Sequence, residues 1–310
     1  MSRERTLGDV RAEIDSIDDE IQDLLIRRTA LVEEVRAIKQ EWRVKIQPTR
    51  EAEIIYRLID RHRGPFPKRD LVAMWRILIC ATLAFEGPFS VAVHAPSDDA
   101  GCWDLARDHF GPCTPMTRHG SVRSVIEAVH RQDAIVGVLP MPRHDDGDPW
   151  WRHIVTNNPD APRIIARLPF AGNGPMRGGA AEALVICPVM VVPSGRDRSY
   201  LVVESELRVA VDQFTQALRE AGLESVFATV WHGEEVPQSW LYLAEIEGFL
   251  VPDDARLQHF GRVLGNPLKR LVLLGGYAMP LTAESLGPPL SASHTLLPGR
   301  PAAGEDAAAQ

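Results

Sequence analysis

The chain has 310 residues, 45% hydrophobic and 25% charged, an ordinary globular balance with length for two or three domains and a sizeable core. Its net charge of −8 argues against nucleic acid as the main partner, because phosphate binding needs an excess of basic surface. No run of about 18 apolar residues occurs, and the start "MSRERTLGDV" has no apolar signal core, so neither a membrane span nor a plain export signal is expected. The cysteines Cys80, Cys102, Cys113 and Cys187 form no CxxC pair, which suits a reducing cytoplasm.

Residues 7 to about 41 keep a helical period, with Thr6 or Asp9 available as cap, and predict a rod near 50 Å long. Such a rod cannot bury its stripe against itself and needs other helices, from a second copy of the chain. "VKIQPT" breaks the pattern. Pro48 opens a second helix over 48–62 carrying Ile54, Ile55, Leu58 and Ile59, and "RGPFP" ends it. A third helix runs from Lys68 to Glu86, with Leu71, Trp75, Leu78, Ile79, Thr82 and Glu86 as its stripe.

The character then changes. "FSVAVHAP" reads as strand, "CWDLARDHF" and "SVRSVIEAVHR" as helices, "AIVGVLPMP" as a buried strand and "AEALVICPVMVV" as another, an α/β alternation over 89–197. "DDGDPWW" and "NNPDAP" read as loops, with Trp150 and Trp151 as a surface-loop anchor. From Ser199 the order is a βαββαβ unit, assigned to 198–282. The tail 283–310, rich in Pro, Ala, Gly and Ser, is expected to be disordered. His94, His109, His119, His130, His144 and His153 show no ligand spacing, and no metal or cofactor is expected.

The chemistry lies in the first 88 residues. At about 100° per residue, Arg28 and Lys39 lie within roughly 20° of each other, on the face that carries Val10, Ile14, Ile17, Ile21, Leu24, Val32 and Val35. Arg50 and Glu51 follow the Pro48 turn, and Thr82 and Glu86 break the stripe of the third helix. Buried cations need anionic partners, and the inward cations outnumber the inward acids, so a small dianionic ligand would balance them. Each residue also has a plain reading. Arg28 can snorkel, Lys39 and Glu86 can sit on solvated helix ends, Arg50 and Glu51 can be an exposed first turn, and Thr82 can bond its own i−4 carbonyl.

Residues 7–86, through "VRAEIDSIDDEIQDLLIRRTALVEEVRAIK", "TREAEI" and the third helix, resemble the all-helical chorismate mutases found at the N-terminus of chorismate mutase–prephenate dehydratase fusions. The resemblance implies an intertwined homodimer that rearranges chorismate to prephenate without a cofactor. Arg11, Arg28, Lys39, Arg50, Glu51, Thr82 and Glu86 would bind substrate, with Lys39, Glu86 and Arg28 as the catalytic groups and Arg11 reaching the partner's site. Glu86 stands where many relatives have Gln. A carboxylate cannot donate a hydrogen bond, so the acid form is expected to be required. Gln47 stands near a position that is often Asp.

Residues 89–282 resemble, more weakly, a prephenate dehydratase followed by its ACT domain. Pro142 and Arg143 replace the Glu-Asn expected after "AIVGVLPMP". The Thr-Arg-Phe motif is missing. "VAVDQF" and "FATVWHG" stand where the family's phenylalanine-binding motifs would be. The expectation is a degenerate dehydratase-like α/β domain and an ACT-like domain behind a helical mutase domain at 1–88. Two rivals are an active bifunctional enzyme and a non-catalytic helical dimer presenting an amino-acid-sensing region.

Overall fold

A computed structural model describes residues 5–172, 182–233, 239–265 and 267–287. Helix α1 (Leu7–Ile38) is started by a capping box. Thr6 Oγ1 accepts from the Asp9 amide at 3.2 Å, and Asp9 Oδ2 accepts from the Thr6 amide at 2.9 Å. Helix α2 (Pro48–Arg61) begins on its proline, and α3 (Lys68–Glu86) stops before Gly87 and Pro88. No residue of α1 is buried. Ile14, Ile17, Ile21 and Leu24 stay 48–62% exposed, so this part of the stripe is left open by the described residues.

The buried face of α3 is Val72, Arg76, Ile79, Cys80, Thr82 and Leu83. It lies about one residue round from the expected stripe, and Leu71, Trp75 and Leu78 are only half-buried. The sheet below pulls α3 onto that face, where Val72, Ile79, Cys80 and Leu83 join one core with Val91, Val93, Leu105 and Phe110.

After the helices come β1 (Val91–His94), α4 (Gly101–Phe110), β2 (Met116–His119), α5 (Val122–Arg131) and β3 (Val136–Pro140). A 3₁₀ turn (Trp150–Ile154), β4 (Arg163–Leu168) and β5 (Ala183–Cys187) follow. The βαββαβ unit is present as β6 (Asp197–Ser205), α6 (Val211–Glu220), β7 (Ser225–Trp231), β8 (Trp240–Glu247), α7 (Ala255–Leu264) and β9 (Leu268–Ala278). Strands β2 and β4 are not among the strands expected from the sequence. "MTRH" has no apolar alternation, and "RIIARL" places arginines at both ends of a short run.

Among the described residues the strands form one nine-stranded sheet, ordered β2-β1-β3-β5-β4-β9-β6-β8-β7. The sheet runs without a break through the boundary expected at residue 197, which is the first residue of β6. Its two halves meet where β4 runs parallel to β9, in register at Ile164 and Gly275. Glu245, buried on β8, ties the seam. It accepts from Arg198 at 3.1 Å, from the Tyr200 hydroxyl at 3.1 Å and from the Tyr277 hydroxyl, while Arg167 of β4 lies 3.6 Å away.

Alternating strand residues divide the core between two faces. On one face, Val91, Val93, Val136, Val138 and Val185 pack under α2, α3 and α4, and Leu201 and Val203 pack under α6 and α7. On the other, Ala92, Leu184, Ile186, Tyr200 and Val202 pack against α5 and the 3₁₀ turn. Trp150 and Trp151 sit in that second core, 2% and 0% exposed, and are not the surface anchor expected of them, because the turn folds its rings onto the sheet.

The expected tail is ordered at its start. Thr282 caps a short helix, α8 (Ala283–Leu286), Leu286 is buried, and Lys68 donates to the Ser285 carbonyl at 2.8 Å. Residues 288–310 lie outside the described residues.

Gly275 has φ +108°, and a β-carbon there would stand 2.9 Å from the Ile164 amide nitrogen. Gly275→Ala is expected to cost at least about 2 kcal/mol of unfolding free energy in urea titration, because strain and collision fall together on the seam.

Candidate active site

Arg28 of α1 and Lys39, the C-cap three turns later, reach neighbouring turns of α3. Arg28 Nη1 donates to Thr82 Oγ1 at 3.5 Å. Thr82 spends its own hydrogen on the carbonyls of Leu78 and Ile79, at 3.0 and 2.9 Å, so its oxygen is free to accept. Lys39 Nζ donates to Glu86 Oε2 at 2.9 Å, and the two side chains are only 11% and 10% exposed. Lys39, the C-cap of α1, and Glu86, the last residue of α3, therefore stand at helix ends that are not solvated as the plain reading allowed. Burial alone lowers the Arg28 guanidinium from its ordinary value, as expected for a half-buried cation with a neutral partner.

Glu51 is buried on the first turn of α2. Its Oε2 lies 3.1 Å from Arg76 Nη1, and its Oε1 is buried with no hydrogen-bond partner among the described residues. Burial raises its carboxyl above the ordinary range against the pull of Arg76, and the neighbouring Glu86 charge pushes the same way. Glu51 thus lies within electrostatic reach of the Lys39–Glu86 pair and keeps one acceptor unused.

Two expected members stand apart. Arg50 points outward, 61% exposed, and pairs with Glu53 at 3.2 Å, because the turn after Pro48 directs Glu51 inward and Arg50 away. Arg11 is exposed on α1 and, at about 100° from Arg28, faces away from this chain's own cluster. Gln47, the N-cap of α2, makes no capping bond with its side chain.

Arg76 was missed. It is 4% exposed and anchors the helical layer to the rest of the molecule. Besides Glu51, it donates from Nε to the His109 carbonyl at 3.3 Å and from Nη2 to His109 Nε2, so the ring of His109 accepts there. Burial first and the Arg76 charge second hold His109 well below its ordinary value, leaving it neutral. A cavity of about 20 Å³ adjoins Glu51, Arg76 and His109, room for roughly one water. The signal was present: Arg76 follows Val72 by four residues and precedes Ile79 by three, the same interruption that marked Arg28.

Residues 10–87 match the family model of chorismate mutase type II. This segment is a chorismate mutase type II domain. It contains Arg11, Arg28, Lys39, Arg50, Glu51, Thr82 and Glu86, and also Arg76.

The chain is 32% identical over 146 residues to the bifunctional chorismate mutase/prephenate dehydratase of Aquifex aeolicus, covering 46% of this chain and 40% of that one. It is 27% identical over 153 residues to the protein of the same name from Stutzerimonas stutzeri, covering 47% and 42%. The chain thus spans about two fifths of the length of these curated relatives. Among solved structures, GqqA, a quorum quenching acylase, is similar at a TM-score of 0.46 and 15% identity, over 64% of this chain and 98% of that one. A prephenate dehydratase from Streptococcus mutans is similar at a TM-score of 0.44 and 12% identity, over 62% and 98%. Among the described residues no helix is long and apolar enough to cross a membrane, and no group of three or more His, Cys, Asp or Glu could hold a metal.

Two buried titratable groups, Glu51 and His109, give stability a pH dependence. Unfolded histidine takes up a proton near pH 6.5 while folded His109 stays neutral, so its contribution is complete above that pH and is lost as pH falls. Glu51 has the opposite sign: its raised value favours the folded state at low pH, and this is lost as pH rises. The difference between the parent protein and His109→Asn isolates the histidine. In urea titrations below pH 6.5 the parent is expected to lose stability faster than the variant, by up to about 1.4 kcal/mol per pH unit.

Proposed function

We propose that this protein rearranges chorismate to prephenate as a homodimer, and that residues 89–282 have lost dehydratase chemistry. The observation that carries this reading is the convergence of Arg28 and Lys39 from α1 onto Thr82 and Glu86 of α3 within the segment matched to chorismate mutase type II.

The reaction is a unimolecular pericyclic shift, so the protein has to fold the substrate into a compact conformer and stabilise charge as the ether C–O bond breaks. Arg28, whose only anchor among the described residues is the Thr82 hydroxyl, has donors to hold one carboxylate, and Arg11 of the partner subunit would hold the other. Lys39 would leave Glu86 for the ether oxygen, where negative charge develops. Glu51 would accept from the substrate hydroxyl through Oε1, the acceptor without a partner. Glu86 in its acid form would add a second donor to the ether oxygen. Arg50, now paired with Glu53, would have to turn inward to reach the ligand. The uncovered stripe of α1 is the surface a second copy would bury, which would carry Arg11 to the neighbouring site.

The test is the loss of chorismate absorbance on incubation with the purified chain. Lys39→Ala is expected to lower kcat about 10²–10³-fold, the scale for removing one donor to a developing oxyanion. Arg28→Ala is expected to raise KM as well as lower kcat. Sedimentation should give a dimer, and failure of the Lys39 variant to slow turnover would remove the assignment.

Glu86→Gln, which replaces an acceptor-only carboxylate by an amide that can donate to the ether oxygen, is expected to retain turnover of chorismate. A second reading, bifunctional turnover, follows the names of the curated relatives. Formation of phenylpyruvate from prephenate by the purified chain would establish it.

A further inference from the structure

The helical layer and the α6–α7 layer cover the same face of the sheet. Beside α7, at the seam between the two halves of the sheet, lies a cavity of about 560 Å³, within the usual size of small-molecule sites at junctions between packed units. Its floor is Leu271, Leu273 and Gly275 of β9. One wall is Leu257 of α7 with the loop after β8, and the other is Val191 in the segment after β5, with Arg163 of β4. The lining is mainly apolar, and Arg163 is its one cation.

Arg163 is short of partners. Nη1 donates to the Leu273 carbonyl and Nη2 to the Asn158 carbonyl at 3.2 Å, while Nε is buried with no acceptor. Among the described residues no carboxylate lies within ion-pair distance of it. Every other buried or half-buried arginine discussed above, except Arg28 in the proposed active site, has an acid beside it. Burial lowers Arg163 from its ordinary value, the mark of a guanidinium losing water without gaining a counter-ion. A cation left this way on the wall of an apolar cavity calls for an anion that brings apolar surface with it.

We propose that this cavity binds a small carboxylic acid with an apolar body, its carboxylate against Arg163 and its body over Leu271 and Leu273. None of residues 209–214 or 227–233, the stretches where the resemblance would put an amino-acid site, lines it. The segment after β5 also reaches the helical layer, since Thr49 of α2 donates to the Val192 carbonyl at 2.6 Å. The proposal does not depend on the mutase reading.

The experiment is calorimetric titration of the full chain with 3-phenylpropionate and with its neutral analogue 3-phenylpropan-1-ol. The acid is expected to bind with a Kd of about 1 mM or tighter, and at least about tenfold more tightly than the alcohol. Arg163→Met should bring the acid down to the affinity of the alcohol. Arg163 also holds two carbonyls, so a second variant, Val191→Trp, fills the cavity from its exposed side and should abolish binding of both compounds. Equal affinity for acid and alcohol, no saturable binding of the acid, or binding of the acid that survives Val191→Trp would each overturn the proposal.

Discussion

One buried guanidinium joins the helical layer to the sheet. Arg76 cannot lie inside the protein unless its charge and its donors are met, and three groups on two other helices meet them: the Glu51 carboxylate, the His109 carbonyl and the His109 ring. Each constrains its neighbours. His109 must stay neutral to accept, and Glu51 must turn its first oxygen to Arg76, which leaves the other without a protein partner. Losing either partner would strand a charge in the interior, a far larger penalty than losing a surface pair. The orientation of α2 and α3 against α4 therefore depends on this cluster as much as on the apolar contacts around it.

The same helices carry the candidate active site, and the two sets of polar groups share Glu51. One side of α3 uses Arg76 to hold the α/β region, and the next turns use Thr82 and Glu86 to meet Arg28 and Lys39. The Arg76 guanidinium is met by its neighbours, whereas Arg28 has a neutral anchor and Glu51, which both sets share, keeps one carboxylate oxygen without a partner among the described residues. That contrast separates a cluster built for stability from one with capacity for a ligand. Arg163 repeats the spare pattern at a second place, on β4 at the seam of the sheet.

Much of the helical unit was legible in the sequence. The capping residue Thr6, the turn at Pro48 and the stop at Gly87 gave bounds close to those observed, because caps and breakers act through neighbouring residues. The inward turn of Arg28 and Lys39 was legible for the same reason, since the period of one helix puts them on one face. The outward turn of Arg50 was not, because adjacent residues in a first helical turn look alike until a neighbouring element takes one of them. The rings of Trp150 and Trp151 were misread because a turn among prolines and aspartates carries no period to say which way it packs.

The sequence by itself determined where the helices begin and end, the βαββαβ order, and which polar residues interrupt apolar stripes, since all of these depend on spacing along the chain. Only the tertiary structure decided that the α/β stretch and the βαββαβ unit share one sheet through Ile164 and Gly275, that Arg76 rather than Arg50 meets Glu51, and that Arg163 is left without an acid. These are meetings between residues tens to more than a hundred positions apart. Partner choice at such distances follows from how the layers stack, which no local period encodes.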